Sequence, residues 1–451
     1  MDSARRIGLA AICCGFMLIT LDAMIVNVAL GPIVNDLGGS LSGAQWIVSA
    51  YTLGFATFLL SAGAWADRIG SRSAFLIGLV IFGFGSAACA AAPSMGALIA
   101  ARTVQGLGAA LLMPCSLALI THTFPAGPER RHALAAWGGI SGIGLASGPV
   151  IGGILVDTVG WRWIFLVNLP LVVLAGIGIV MYVTETPRHR HPFDLPGQVL
   201  VVAALGALTG GFILAGSLGW DAPGTIALLV AGVAAALALA RVERLVRLPM
   251  IPPTLFRNRV FGNLVIVAGL YNFGFYGILF CLSLEFHEQL GLSPFDTGLA
   301  LLPLTGVIGA IALASGHLIG WLGEWRSMLI GLWIAAGGAA LLAVFGGDSV
   351  ATTILVSIPF GGIAITMQAM TAVTMEGAPV KRIGLASGVQ NAARQAGGAL
   401  GIALLGTLLA AGDGLALHLP MAVVSAGYLV TIGLTLAARR HAGANAAAPV
   451  T

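Results

Sequence analysis

Charge is what this chain has little of. Asp, Glu, Lys and Arg make up 8% of its 451 residues and 58% are hydrophobic, against about 25% charged in soluble domains. So few polar residues cannot cover so apolar a core in water, and the solvent for most of the chain is lipid. The net charge of +4 is therefore not a nucleic-acid footprint, and no nucleic-acid partner is expected. Lysine is scarcer still. The one lysine, Lys381, follows Pro379-Val380, so the G-x-x-x-x-G-K-S/T phosphate loop of a nucleotide-driven pump is missing. The five cysteines, Cys13, Cys14, Cys89, Cys115 and Cys281, fall in apolar segments without metal-ligand spacing and read as small packing residues. His287-Glu288 lacks a histidine four residues after the first, which removes the zinc-hydrolase pattern. The expectation is no metal, no cofactor and no enzyme.

Apolar length is abundant. A helical span needs ~20 predominantly apolar residues. Parsing on that length gives about fourteen spans, near 8–30, 45–65, 73–92, 95–120, 133–157, 163–183, 197–217, 224–241, 260–284, 297–321, 327–346, 351–375, 384–411 and 417–438. The run after Arg5-Arg6 is too long for a signal-peptide core and lacks a clear cleavage site, so it reads as the first span. Arg5/Arg6, Arg68/Arg72, Arg130/Arg131, Arg188/Arg190, the Arg241–Arg259 group, Arg326, Lys381/Arg382 and Arg439/Arg440 hold 18 of the 21 basic residues in alternate loops. The intervening loops carry Asp36, Asp157, Asp221, Glu288, Asp296, Asp348 and Asp413. By the positive-inside rule the basic loops and both termini face the cytoplasm.

Between the second and third spans lies Gly63-Ala64-Trp65-Ala66-Asp67-Arg68-Ile69-Gly70-Ser71-Arg72. It reads as a short charged turn at the membrane surface, since neither charge belongs in hydrocarbon. Gly63 and Gly70 would let helices pack closely, while Asp67, Arg68 and Arg72 could make and break ion pairs as a conformational latch. The glycines recur 253 residues later as Gly316 and Gly323, with Gly320 and Trp321 in place of the Asp-Arg pair. That phase fits two six-span halves separated by two extra spans, with a chance match among 64 glycines as the competing reading: a bundle over 1–183, cytoplasmic linkers with two extra helices over 184–259, a second bundle over 260–438, and a cytoplasmic tail over 439–451, of which His441–Thr451 is small and polar enough to be disordered.

Two charges stand inside apolar spans. Asp22 lies in Leu21-Asp22-Ala23-Met24-Ile25-Val26-Asn27-Val28-Ala29-Leu30, where a carboxylate costs roughly 2.5–3.5 kcal/mol. A group that sheds its charge by taking a proton when buried, and regains it when wetted, suits a proton-coupled carrier; a carboxylate buried for packing is the competing reading. Arg102 lies in Leu98-Ile99-Ala100-Ala101-Arg102-Thr103-Val104-Gln105-Gly106-Leu107-Gly108-Ala109-Ala110, and Asp22 is its expected partner. Residues 102, 106 and 109/110 share a helical face, so a neighbour can approach beside the charge. In the fifth span Gly144, Gly148 and Gly152 form a smooth stripe for tight contact, accompanied by Pro149 and Gly153.

These segments resemble the motifs of the major facilitator superfamily of secondary transporters. The Gly63–Arg72 turn is similar to its G-x-x-x-D-R-x-G-R/K-R/K loop, with Ser71 at the penultimate basic position. The Arg102 segment is similar to L-x-x-x-R-x-x-Q-G-x-G, and Gly144–Gly153 to the G-x-x-x-G-P-x-x-G-G motif associated with antiporters. The Asp22 segment resembles the L-D-x-T-I/V-V-N-V-A-L-P motif of drug:proton antiporters, with Met24 at the Thr position and Pro32 displaced. Gln45–Leu53, Trp161–Pro170, Phe193–Gly197 and Gly384–Gly398 extend the resemblance to the fourteen-span drug:proton antiporter family over nearly the whole chain.

The resemblance implies an all-α major facilitator fold in a bacterial-type inner (plasma) membrane, monomeric by default, with protons and a small amphipathic substrate as partners. Asp22 and Arg102 would couple to protons, and export of drugs, antibiotics or related metabolites would follow by alternating access; proton-coupled uptake of a small metabolite is the alternative. Substrate-lining candidates are Asn27, Gln105, Tyr271, Asn272, Phe275, Tyr276, Met367 and Gln368, mixing aromatic, amide and thioether groups, with helix packing as the competing reading for each. Glu285 and Glu288 flank the outer end of the ninth span and read as interfacial loop carboxylates, with attraction of a cation as the competing reading.

Overall fold

The computed structural model describes the chain except residues 1–2, 126, 189–193, 247–248, 378–382, 412–415 and 448–451. Arg190, Phe193, Arg247, Lys381, Arg382 and Asp413, used above for charge and motif patterns, lie outside the described residues.

Among the described residues fourteen helices are long and apolar enough to cross a membrane. They are α1 (Ser3–Leu37), α2 (Leu41–Ile69), α3 (Ser71–Ala90), α4 (Met95–Thr123), α5 (Pro128–Val159), α6 (Trp163–Tyr182), α7 (Leu195–Leu218), α8 (Pro223–Leu245), α9 (Arg259–Gln289), α10 (Pro294–Leu322), α11 (Glu324–Phe345), α12 (Val350–Thr374), α13 (Leu385–Ala410) and α14 (His418–Ala442). The α14 helix continues to Ala447, into the stretch read from sequence as a disordered tail. Large apolar side chains point outward, Phe84 at 69% and Trp321 at 82% exposure, while Asp22, Arg102, Gln105 and Asn168 are fully enclosed. Polar groups inside and apolar groups outside is the distribution that lipid, not water, selects.

By contact the chain divides into two compact units. One comprises Met1–Gln198 with Leu282–Gly309, the other Val199–Cys281 with Ala310–Thr451. Most of the central pair α7/α8 falls in the second, where Gly211 meets Leu229, Gly232 meets Leu208, and the Thr407 hydroxyl donates to the Phe212 carbonyl at 2.7 Å.

The charged turn is shorter than its sequence suggests. Helix α2 runs on through Ile69, so Gly63, Asp67 and Arg68 belong to its last turns, and the link to α3 is Gly70 alone. Gly70 has φ +97°, a value costly for residues with a Cβ, which allows a one-residue reversal. Its N–H closes α2 on the Ala66 carbonyl at 2.8 Å, and its carbonyl opens α3 by accepting from Ala74 at 3.0 Å. Gly323 repeats this between α10 and α11: φ +77°, N–H to the Ile319 carbonyl at 2.8 Å, carbonyl accepting from Ser327 at 3.1 Å. Gly63, Gly316 and Gly320 have nothing within 4 Å of a Cβ position, so they permit no close approach.

The fifth-span stripe does make close contact. A Cβ on Gly144 would lie 2.6 Å from the Thr20 hydroxyl, on Gly148 2.6 Å from Met24 Cβ, and on Gly152 2.7 Å from Val28 and 2.8 Å from the Ile25 carbonyl. All these partners are on α1. On its other side α5 meets α10, with Gly153 2.6 Å from Phe295 Cα and the Thr305 hydroxyl donating to the Ala146 carbonyl at 3.4 Å. The stripe thus seats the helix that carries Asp22.

Gly152→Ala is expected to destabilise the protein by about 1–3 kcal/mol, because its methyl would meet the Ile25 carbonyl, which is backbone, together with the buried Val28 and Ile25 side chains. Gly63→Ala, with open space around it, should be neutral or stabilising by up to about 1 kcal/mol. Thermal unfolding of the purified variants checks both, and equal effects would contradict the packing described.

Candidate functional site

Four helices of the first unit converge on one enclosed polar cluster. Arg102 Nη1 donates to Asp22 Oδ2 at 2.5 Å and to Gln105 Oε1 at 2.6 Å. Gln105 Nε2 donates to Asp22 Oδ1 at 2.7 Å and to the Ser86 hydroxyl at 2.7 Å. Asn168 Nδ2 completes the ring, donating to Asp22 Oδ1 at 3.0 Å and to Ser86 at 3.2 Å. Arg102 Nε donates to the Ile47 carbonyl at 3.2 Å. Its guanidinium carbon lies 4.3 Å from the centroid of the Tyr51 ring, a cation–π contact.

The approach of the backbones makes this possible. Gly106 presses on the Tyr51 carbonyl and the Phe55 N–H, Gly108 lies 2.6 Å from the Phe82 nitrogen, and Gly85 lies 2.8 Å from the Gln105 nitrogen, measured from would-be Cβ positions. With α2 and α3 drawn so close to α4, the Tyr51 ring and the Ser86 hydroxyl reach the charge.

The structure therefore brings Asp22 and Arg102 together, as an ion pair with no solvent access. The counter-charge to Asp22 is thus built into the same enclosed cluster. Gln105, read from sequence as a substrate-lining candidate, instead bridges the two charges. Ser86 and Asn168 were not singled out. Asn168 could have been suspected as an amide within the Trp161–Pro170 motif, whereas Ser86 among small residues carried no signal.

Just beyond Asp22, α1 breaks. Its α-helix ends at Ile25, a 3₁₀ turn follows over Asn27–Ala29, and helix resumes at Leu30. Asn27 Nδ2 donates to the carbonyls of Ala23 at 3.0 Å and Met24 at 3.3 Å, and the Ser283 hydroxyl of α9 donates to the Asn27 carbonyl at 2.6 Å. Such side-chain competition for backbone acceptors disturbs a helical ladder. Met24, at the family's Thr position, packs against Gly148 and makes no comparable bond. At the carboxyl end of α1 Asp36 accepts from Trp161 Nε1 at 2.9 Å and Arg162 Nη1 at 2.8 Å, which gives the Trp161-Arg162 pair a structural role.

At the Gly70 link the latch residues meet partners that sequence reading missed. Glu185, just past α6, accepts from the N–H groups of Arg72 at 2.9 Å and Ser73 at 3.1 Å and from the Ser73 hydroxyl at 2.5 Å. It thus caps the amino end of α3. Arg72 in turn donates to the carbonyls of Ile179 at 3.3 Å and Val180 at 2.7 Å near the carboxyl end of α6. Each charge sits at the helix end whose dipole it complements. Burial pushes the Glu185 carboxyl up, but the Ser73 hydroxyl and the three backbone N–H donors of Arg72, Thr186 and Ser73 outweigh it and hold the group below its ordinary range. Asp67 and Arg68 are exposed at the end of α2.

The remaining candidates lie in the second unit. Tyr271 and Phe275 stack at 6.1 Å, and Phe275 meets Tyr276 edge-on at 5.3 Å. Asn272 is buried, Gln368 is half-buried, and Met367 Sδ lies 3.0 Å from Arg394 Nη2. Glu285 is not a loop carboxylate: it opens a π-helical turn, Glu285–Gln289, that continues α9, and is 4% exposed, while Glu288 is exposed.

The family model described as Major Facilitator Superfamily matches residues 12–402. The chain is 37% identical over 414 residues to the multidrug resistance protein Stp of Mycobacterium tuberculosis, covering 91% of this chain and 77% of that protein. It is 38% identical to the puromycin resistance protein pur8 of Streptomyces alboniger (90% and 82% covered) and 35% identical to the methylenomycin A resistance protein of Streptomyces coelicolor (90% and 86%). Among solved structures, the human organic anion transporter MFSD10 (TETRAN) superposes with a TM-score of 0.69 at 17% identity, covering 96% of this chain and 100% of that one, a likeness of fold.

Because the folded Glu185 carboxyl titrates below its ordinary value, its cap is present above the unfolded value and is lost only as pH falls through the folded one. Glu185→Gln should therefore destabilise the protein at neutral pH by about 1–2 kcal/mol, and the difference from wild type should fade below about pH 4. Unfolding temperatures measured across pH check this, and a difference growing towards acid would contradict it.

Proposed function

The chain belongs to the major facilitator superfamily, and from that premise we propose that it exports amphipathic drugs, antibiotics or related metabolites in exchange for protons. The observation that carries this reading is the Asp22–Arg102 ion pair, sealed from solvent and ringed by amides. In the proposed cycle Asp22 takes a proton from the outer side when its site is wetted, the attraction to Arg102 lapses, and the proton leaves on the cytoplasmic side as the pair re-forms. The break in α1 next to Asp22 and the glycine stripe of α5 against it let a change of charge become a shift of a helix. The Glu185 and Arg72 caps hold the cytoplasmic link as the latch, with both termini in the cytoplasm.

Direction is supported by relatives whose names record resistance and efflux, and by the antiporter-type fifth span. Energetically, one proton entering through ~100 mV supplies about 2.3 kcal/mol. At about 1.4 kcal/mol per decade that alone sustains a gradient approaching a hundredfold, and a pH difference adds to it.

Everted vesicles with an imposed pH gradient test the proposal, with puromycin first on a panel of antibiotics. Asp22→Asn is expected to lose at least about 90% of pH-driven accumulation. Because it leaves the buried guanidinium unpaired at a cost of about 3–5 kcal/mol, the amount of folded protein and gradient-free substrate exchange are read in parallel. Undiminished pH-driven export by Asp22→Asn would overturn the assignment, and accumulation in the direction of proton flow would replace export by uptake.

A further inference from the structure

A second arginine stands inside the membrane without the arrangement that neutralises Arg102. Arg394 lies about 16 Å along the helix that begins at Ile383, at 1.5 Å per residue, and thus near the middle of the span. Among the described residues it forms no ion pair. Nη1 donates to Asn391 Oδ1 at 3.1 Å, Nη2 reaches only the Met367 thioether at 3.0 Å, and the buried Nε has no partner. The guanidinium carbon is 5.8 Å from the centroid of the Tyr271 ring. A thioether is a weak acceptor and a neutral amide carries no compensating charge. Beside Tyr271, Asn272 is 1% exposed, and neither its amide nitrogen nor its oxygen is hydrogen-bonded. Helix α9 brings both residues against α13, where a Cβ on Gly398 would lie 2.7 Å from the Tyr276 ring. Arg394 is itself half-buried, so the charge is not sealed.

An arginine at membrane depth pairs with an anion, a carbonyl or water. The orphaned amide of Asn272, next in sequence to the ring that Arg394 contacts, is a buried donor awaiting an acceptor. We propose that Arg394 and Asn272 form an anion subsite that binds the carboxylate, or a similar single negative charge, of an amphipathic organic substrate. Tyr271, Phe275, Tyr276 and Met367 receive its apolar part. Binding stands on this geometry alone; the consequence for transport rests on the export reading. An anion leaving while a proton enters moves two positive charges inward, so its export responds to membrane potential. Exchange of a monocation for a proton moves none.

Purified full-length protein in phosphatidylcholine nanodiscs is titrated with 2-naphthoate and with 2-naphthylmethylammonium, which share a ring system and differ in charge. Wild type should bind naphthoate at least about tenfold more tightly than the ammonium. Arg394→Gln should abolish that preference, Arg394→Lys should keep part of it, and Asn272→Leu should weaken naphthoate alone. Unfolding temperatures report whether each variant is folded, and Arg394→Lys keeps the comparison valid if Arg394→Gln is not. Equal affinities, a preference for the ammonium, no binding of either, or an unchanged preference in folded Arg394→Gln would overturn the subsite. Displacement of naphthoate by chloride, by inorganic phosphate, or by phosphatidylglycerol in the discs, each at concentrations comparable to naphthoate, would also overturn it, assigning the charge to an inorganic ion or a lipid headgroup. Naphthoate binding without potential-driven export in proteoliposomes would leave the subsite standing and count against the export reading alone.

Discussion

The first unit is organised around one ion pair that lipid would not tolerate if it were split. Asp22 and Arg102 share a short hydrogen bond with no solvent access, and the other carboxylate oxygen, Oδ1, accepts from the amides of Gln105 and Asn168. Such a pair is weak as a source of stability, since desolvation offsets most of the attraction, but removing one member is costly. In the proposed cycle its value lies in having two states that differ by one proton. Gly106, Gly108 and Gly85 bring α2, α3 and α4 close enough to build the ring, and the α5 stripe fixes α1 against it. Charge, backbone approach and the break in α1 are consequences of the same constraint.

The two units repeat a framework while diverging in charge. Gly70 and Gly323 make the same one-residue reversal with the same hydrogen bonds. Among the described residues only the first is flanked by a carboxylate cap and an arginine on neighbouring carbonyls. The intramembrane arginines diverge in the opposite sense: Arg102 carries its counter-ion within the protein, and Arg394 has none among the described residues. Proton exchange in one unit and substrate charge in the other is a division of labour consistent with that contrast.

What the sequence made legible follows from range. Apolar runs located the fourteen spans within a few residues, because a membrane span is set by length and hydropathy alone. Asp22 and Arg102 stood out because charges in hydrocarbon are rare. The partners that give them meaning did not: Ser86 and Asn168 are small polar residues whose role exists only once four helices meet. The extent of the Gly63–Arg72 turn was overestimated because surface charges end a helix no more than they continue it; the stop comes from Gly70 and the Glu185 cap 115 residues away. Glu285 looked like a loop residue because hydropathy falls there, while the backbone continues as a π-helical turn.

On the proposed cycle the Asp22–Arg102 pair exchanges a proton rather than merely holding helices together. The double variant Asp22→Asn/Arg102→Gln tests it most directly, because it removes both charges and leaves neither unpaired. Substrate-dependent proton movement into proteoliposomes, read with a lumenal pH indicator beside the unfolding temperature, gives the answer. The account predicts a variant that unfolds near the wild-type temperature and binds substrate but moves no protons with it. Proton movement coupled to substrate in that variant would contradict it.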